Sequence, residues 1–142
     1  MVLLRFRAWN KAIKEMYGAE DIIAINFEEK EICVQTIYFE QGLPDSRDLD
    51  YYDFDDIVLM QSTGMRDKND REIFEGDVIK VTNLESWLEV VSFNEDKAMF
   101  VSKETKRKVE ETPLYDLFNT DIFEVEIIGN IHTNPELAEV SS

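Results

Sequence analysis

The chain has 142 residues, 44% hydrophobic and 11% aromatic, enough to fold as one domain or as two small subdomains. Its 15 Lys and Arg against 31 Asp and Glu give a formal net charge of −16, which argues against direct binding to nucleic acid or to anionic membrane surfaces. The one cysteine, Cys33, rules out an intramolecular disulfide, and no segment approaches the ~20 consecutive apolar residues that span a bilayer.

The predicted elements are mostly strands, because the dominant period is two. Leu4, Phe6 and Ala8 alternate with Arg5, Arg7 and Trp9, and the terminus from Met1 reads as the same strand rather than as a signal peptide. Asn10 to Lys14 turns the chain so that Met16 and Tyr17 pair back. Ile23, Ile25 and Phe27 alternate next. A polar run then leads into Ile32–Phe39, a strand with β-branched or aromatic residues on both faces, and the two form a hairpin with a four-residue connection. Gln41 to Asp50 holds Gly42, Pro44 and several aspartates and reads as a loop between subdomains, giving an N-terminal unit 1–50 and a C-terminal unit 51–142.

Tyr51 to Phe54 reads as a helical turn, and Ile57–Met60 as a short buried strand. A long polar connection through Gly64 and Gly76 follows, where glycine permits positive φ in tight turns or bulges. Strands resume at 78–82, 87–93, 98–102 and 123–131, with Asn94–Lys97 as a hairpin turn. Thr112-Pro113 has the N-cap and first-turn chemistry of a short helix over 112–118, and Asn134-Pro135 repeats it over 134–139. Short strands at this spacing predict a mainly β fold, a small barrel or a pair of curled sheets.

Candidate chemistry is sparse. His132 is the one histidine, without an evident catalytic partner, and Cys33 lies within an apolar strand as a small core residue. Asp67-x-Asn69-x-Arg71 imitates the start of a calcium loop but fails at its fifth, sixth and twelfth positions, where Arg71, Glu72 and Val78 stand. No phosphate-cradling glycine loop or nucleophile elbow is present. The basic run Lys103–Lys108 is offset by Glu104, Glu110 and Glu111. No metal or other cofactor is expected.

The acidic stretch is the feature that points outward. Glu40, Asp45, Asp48, Asp50, Asp53, Asp55 and Asp56 face only Arg47, with Tyr51, Tyr52 and Phe54 among them. Asp48, Asp50, Tyr51, Tyr52, Asp53, Asp55 and Asp56 are the candidate interaction surface for a basic partner. Metal binding by the carboxylates, or a solvated loop whose aromatics enter the core, are the alternatives. Gly64, Asp67, Asn69, Gly76, Asp77, Gly129, Asn130 and Pro135 are expected to be architectural turn residues, with Asp77 bonding nearby amides and Gly129-Asn130 forming a bulge; the alternative is that the polar connection from Gln61 to Asp77 forms a binding surface.

Three blocks carry a family resemblance. They are Arg5-Phe6-Arg7-Ala8-Trp9-Asn10-Lys11 with Met16-Tyr17, the run from Leu59 to Asp77, and the run from Glu126 to Leu137. Together they resemble the YopX family of small proteins encoded by phages and prophages of Gram-positive bacteria. The chain departs from the family pattern at Asp70, Met65 and His132, where glycine, leucine and an aromatic are favoured. The resemblance implies a mostly β fold with a C-terminal half similar to a small SH3-like barrel, and brings no established activity or catalytic residues.

The resulting expectation is a cytoplasmic, non-enzymatic binding or adaptor module acting on a host or phage protein. Its rivals are an acidic mimic of nucleic acid that inhibits a DNA- or RNA-binding protein, a carboxylate- or metal-dependent enzyme, and a self-assembling protein that pairs exposed strand edges.

Overall fold

The computed structural model describes residues 4–107 and 109–138; the expectations that fall on Met1–Leu3, Lys108 and Glu139 lie outside them. The chain is mainly β and divides into two compact units, one of Leu4–Gln61 and one from Ser62 onward. That division differs from the expected one after Asp50. Gln41–Asp50 is not a linker, because all but two of its residues belong to a strand paired with the preceding one.

In the first unit, β1 (Phe6–Asn10) pairs antiparallel with β2 (Glu15–Tyr17) and with the first half of β6 (Ile57–Arg66). Asn10 directs the β1–β2 turn. Its buried side chain accepts the amides of Ala12 at 3.0 Å and Ile13 at 3.2 Å, so burial leaves no donor unmatched there. A second sheet has the order β3 (Ile22–Asn26), β4 (Glu31–Glu40), β5 (Leu43–Asp53). Ala8, Ile32, Val34 and Ile57 form the core, with Tyr17, Tyr52 and Phe54 packed on it. The helical turn expected at 51–54 is a 3-10 turn over Phe54–Asp56, because Tyr51–Asp53 are still held by ladder bonds to β4.

In the second unit the connection expected from Gln61 to Asp77 is largely strand. β6 continues to Arg66 and pairs with β7 (Glu72–Phe74), and β8 (Asp77–Thr82) starts after one turn. The curled half-barrel sheet has the order β11 (Thr112–Pro113), β10 (Met99–Glu104), β9 (Ser86–Asn94), β8, β12 (Glu124–Asn130). Ile73, Ile79, Val81, Val91, Leu114, Leu117 and Val125 make its core. Fully burying one such isoleucine or leucine contributes about 1.5–3 kcal/mol.

Neither Thr112 nor Pro113 caps a helix with its side chain, although Pro113 is the N-cap residue of a 3-10 turn. They pair with Ser102 and Val101 as β11, and a 3-10 turn follows over Leu114–Leu117. The reason is packing: side chains three apart eclipse in a 3-10 turn, which sends both Leu114 and Leu117 into the core. The second expected helix is likewise a 3-10 turn, Pro135–Ala138. Among the described residues, no helix is long and apolar enough to cross a membrane.

Candidate functional site

The β4–β5 hairpin outgrows the sheet that supports it. β3 pairs with β4 only at Glu31–Val34, while β4 and β5 stay paired from Glu31↔Asp53 out to Glu40↔Leu43. Gln41 and Gly42 close the ribbon with φ of 51° and 80°, the two left-handed positions of a two-residue hairpin turn. From Thr36 to Tyr51 every residue is exposed. The result is a two-stranded arm with neither face packed on a core, an arrangement of marginal stability in water by itself.

Alternation sorts the arm's side chains. Ile32, Val34, Thr36 and Tyr38 of β4 lie opposite Tyr52, Asp50, Asp48 and Ser46 of β5 on one face. At the root that face is core, where Tyr52 stacks on Tyr17 with ring centroids 5.8 Å apart. Farther out it is acidic, and Tyr38 Oη donates to Asp48 Oδ2 at 2.9 Å across the strands. The other face carries Cys33, Gln35 and Ile37 opposite Tyr51, Leu49 and Arg47, with Arg47 bonded to Gln35 at 3.1 Å. Tyr51, Phe39 and Leu43 are 63%, 65% and 69% exposed. Large apolar groups are thus exposed at the root of the arm, along it and at its tip.

Three tyrosines of the arm have raised pKa values, each for a different reason. A hydrogen bond to Asp48 and that carboxylate's charge raise the Tyr38 pKa. A hydrogen bond with Cys33 raises that of Tyr51. Tyr52 is pushed up to about 12, first by its hydrogen bond with Tyr17 and then by burial.

The expected interaction residues therefore do not form one patch. Asp48 and Asp50 share the acidic face, Tyr51 and Asp53 lie on the opposite one, and Tyr52 packs on the core. Asp55 and Asp56 sit in the 3-10 turn at the root, where the Asp56 carbonyl accepts the Lys11 amide at 3.1 Å. The carboxylates do not converge, and among the described residues no group of three or more His, Cys, Asp or Glu is placed to hold a metal. Ile37, Tyr38, Phe39, Leu43 and Leu49 were missed as surface residues. The signal for the first three was the run on β4 that is apolar on both faces, a pattern that is read as burial unless the length of the supporting strand is known, and Leu43 and Leu49 lay in the stretch read as a loop.

The turn residues occupy structural positions. Gly64 (φ 78°) centres a bulge in β6, where Thr63 Oγ1 donates to the Ile73 carbonyl at 2.7 Å and accepts the Met65 amide at 3.1 Å. Gly76 (φ 87°) turns β7 into β8, and Asp77 accepts the Phe74 amide at 2.8 Å. Asp67, its side chain fully buried, accepts amides of Asn69, Arg71 and Ile127 and pairs with Arg71 at 3.4 Å. Burial is the largest influence on its pKa and raises it, but the three amides and the guanidinium together outweigh burial and hold it below the usual aspartate range. The bulge in β12 leaves Ile128 as the extra residue. Asn130 follows it and accepts the amides of His132 and Thr133. Pro135 begins the last 3-10 turn.

One inward position of β9 is polar. Glu89 is buried between Trp87 and Val91, accepting from Trp87 Nε1 at 2.7 Å and Ser102 Oγ at 2.6 Å. It lines a cleft of about 260 Å³ together with Glu104, Arg107 and Phe123. Its sequence signal was a glutamate at an inward parity of an apolar strand.

The fold and the arm define a small two-unit β protein that presents an acidic and apolar ribbon. Residues 5–139 match the family model described as YopX protein, and the chain belongs to the YopX family. A solved structure, protein EF1440 from Enterococcus faecalis, shares the fold with a TM-score of 0.63 at 24% identity, covering 98% of this chain and 100% of that one. No curated protein matches the chain. Neither description states an activity.

Proposed function

We propose that the protein is a non-enzymatic binding module that engages a basic host or phage protein through the β4–β5 arm. The observation that carries this reading is the arm's construction: large apolar side chains exposed on a ribbon that no core supports, interleaved with Glu40, Asp45, Asp48 and Asp50. The acidic groups steer a basic partner from a distance, and the apolar groups gain by being covered once it arrives. The chain's charge of −16 adds to that steering and repels nucleic acid.

The test is affinity capture from host cells with the intact chain and with a variant in which residues 36–50 are replaced by a two-residue turn. A basic protein retained by the first and not by the second, and released as salt rises, supports the reading. Equal capture by both, or capture indifferent to ionic strength, overturns it.

A further inference from the structure

β5 presents an open edge. Among the described residues, in the order β3–β4–β5, it has a strand neighbour on one side only, so every second residue points its N–H and C=O away from the ladder. Edges of this kind pair with other chains unless they are blunted by proline, bulges or charge. Proline and bulge are confined to the tip, where Pro44 stands and the register shift after Tyr38↔Ser46 leaves Asp45 as an unpaired bulge residue, while the charges farther along, Arg47, Asp48 and Asp50, limit which strands can pair there. Beyond the bulge Ser46–Tyr51 runs regularly and exposed, about 20 Å of straight edge at the rise of a strand. The free part of β4, Gln35–Glu40, carries a single charged residue, and no charge pattern there selects a partner.

Resting on the reading of the arm as a binding surface, we propose that the outer edge of β5 accepts an extended basic segment of another protein as a fourth strand. The alternation defines that segment. Residues directly opposite one another in a sheet share a face, so its basic residues lie beside Asp48 and Asp50, and its apolar residues lie beside Leu49 and Tyr51. The added strand thus alternates Lys or Arg with apolar residues. A second copy of this chain does not fit, because antiparallel pairing of two β5 edges sets the acidic face of one against that of the other.

Three synthetic heptapeptides test this against the full chain. One alternates lysine and valine, one has the same composition in two blocks, and the third is the alternating peptide N-methylated along one edge. The alternating peptide should bind, shift the backbone amides of Ser46–Tyr51 in NMR spectra and protect the outward ones from hydrogen exchange. The blocked and N-methylated peptides should bind roughly tenfold or more weakly, and Asp48→Lys with Asp50→Lys should weaken the alternating peptide by a similar factor. Equal binding of all three overturns strand addition while leaving a basic partner in place. Failure of all three at low salt overturns both readings. Dimerisation of the protein alone through the same amides would assign the edge to a second copy and overturn the basic segment.

Discussion

Asp67 Oδ2 accepts the backbone amide of Ile127 at 2.9 Å, joining the turn after β6 to a strand sixty residues later. The neighbouring Lys68 strengthens the same junction: its amide donates to the Val125 carbonyl at 2.8 Å and its ammonium pairs with Glu126 at 3.2 Å. The turn is thus part of the half-barrel's framework, which explains why its calcium-loop likeness has no calcium geometry behind it.

Asp67→Asn keeps an acceptor for the amides of Asn69 and Arg71 but turns an NH2 toward the Ile127 amide and Arg71. The expected loss is about 1–3 kcal/mol, the cost of buried donors left unmatched, measured by urea denaturation at pH 7. The Asp67 pKa is lower folded than unfolded, so its stabilisation is complete above the unfolded value of about 4 and disappears as pH falls through the folded value. The variant should show a flatter acid limb than the parent.

Asp70 holds φ at 63° without being glycine. Asp70→Gly removes that strain and should raise stability by up to about 1 kcal/mol, whereas Asp70→Val should lower it by more than 1 kcal/mol. The exposed Arg66–Asp70 pair, 3.9 Å apart, offsets little of the gain. Thermal melts of the two variants should move in opposite directions.

A side chain at Gly129 would meet the ends of two others. A Cβ there would lie 2.5 Å from Asn134 Oδ1 and 2.9 Å from Leu137 Cδ1. Gly129→Ala should cost about 1 kcal/mol or less, because the atoms in the way are movable side-chain ends; it should show as a slightly lower denaturation midpoint and as loss of the bond from the Asn130 amide to Asn134 Oδ1.

Tyr52 should appear in an ultraviolet titration as a phenolate component near pH 12 that Tyr52→Phe removes. Its raised pKa means that its stabilisation is whole below pH ~10 and is lost as pH rises through the folded value. Asp48→Asn should bring the Tyr38 transition back toward the ordinary value, because the hydrogen bond and charge that raise it come from Asp48.

Phe39→Ser and Leu43→Ser at the arm's tip should change folding stability by no more than about 0.5 kcal/mol. Ile79→Ala, in the core of the second unit, should cost about 2–5 kcal/mol. Chemical denaturation of the three variants separates apolar residues that hold the fold from those that face outward.

Period-two patterning made most strands legible, including the β9–β10 hairpin around Asn94–Lys97 and the β3–β4 hairpin, whose connection lies one residue earlier than expected. Turn chemistry pointed to Asp77, which accepts the Phe74 amide, and to a bulge at Gly129-Asn130, which the strand makes one residue earlier, at Ile128. The acidic stretch was visible as composition, but not as a strand: Asp, Pro and Gly are poor strand formers, and Leu43–Asp50 is held in one by cross-strand pairing with Val34–Glu40 rather than by its own preference. What the sequence by itself determined was therefore the β class, the family blocks and the turn chemistry, which depend on residues near one another in the chain, and the net charge, which depends on composition alone. Only the tertiary structure decided which apolar residues are core and which are arm, because burial depends on how far β3 extends beside β4. It also decided that Asp48 and Asp50 part company with Tyr51 and Asp53, since the faces of a strand acquire meaning only once a sheet supports one of them.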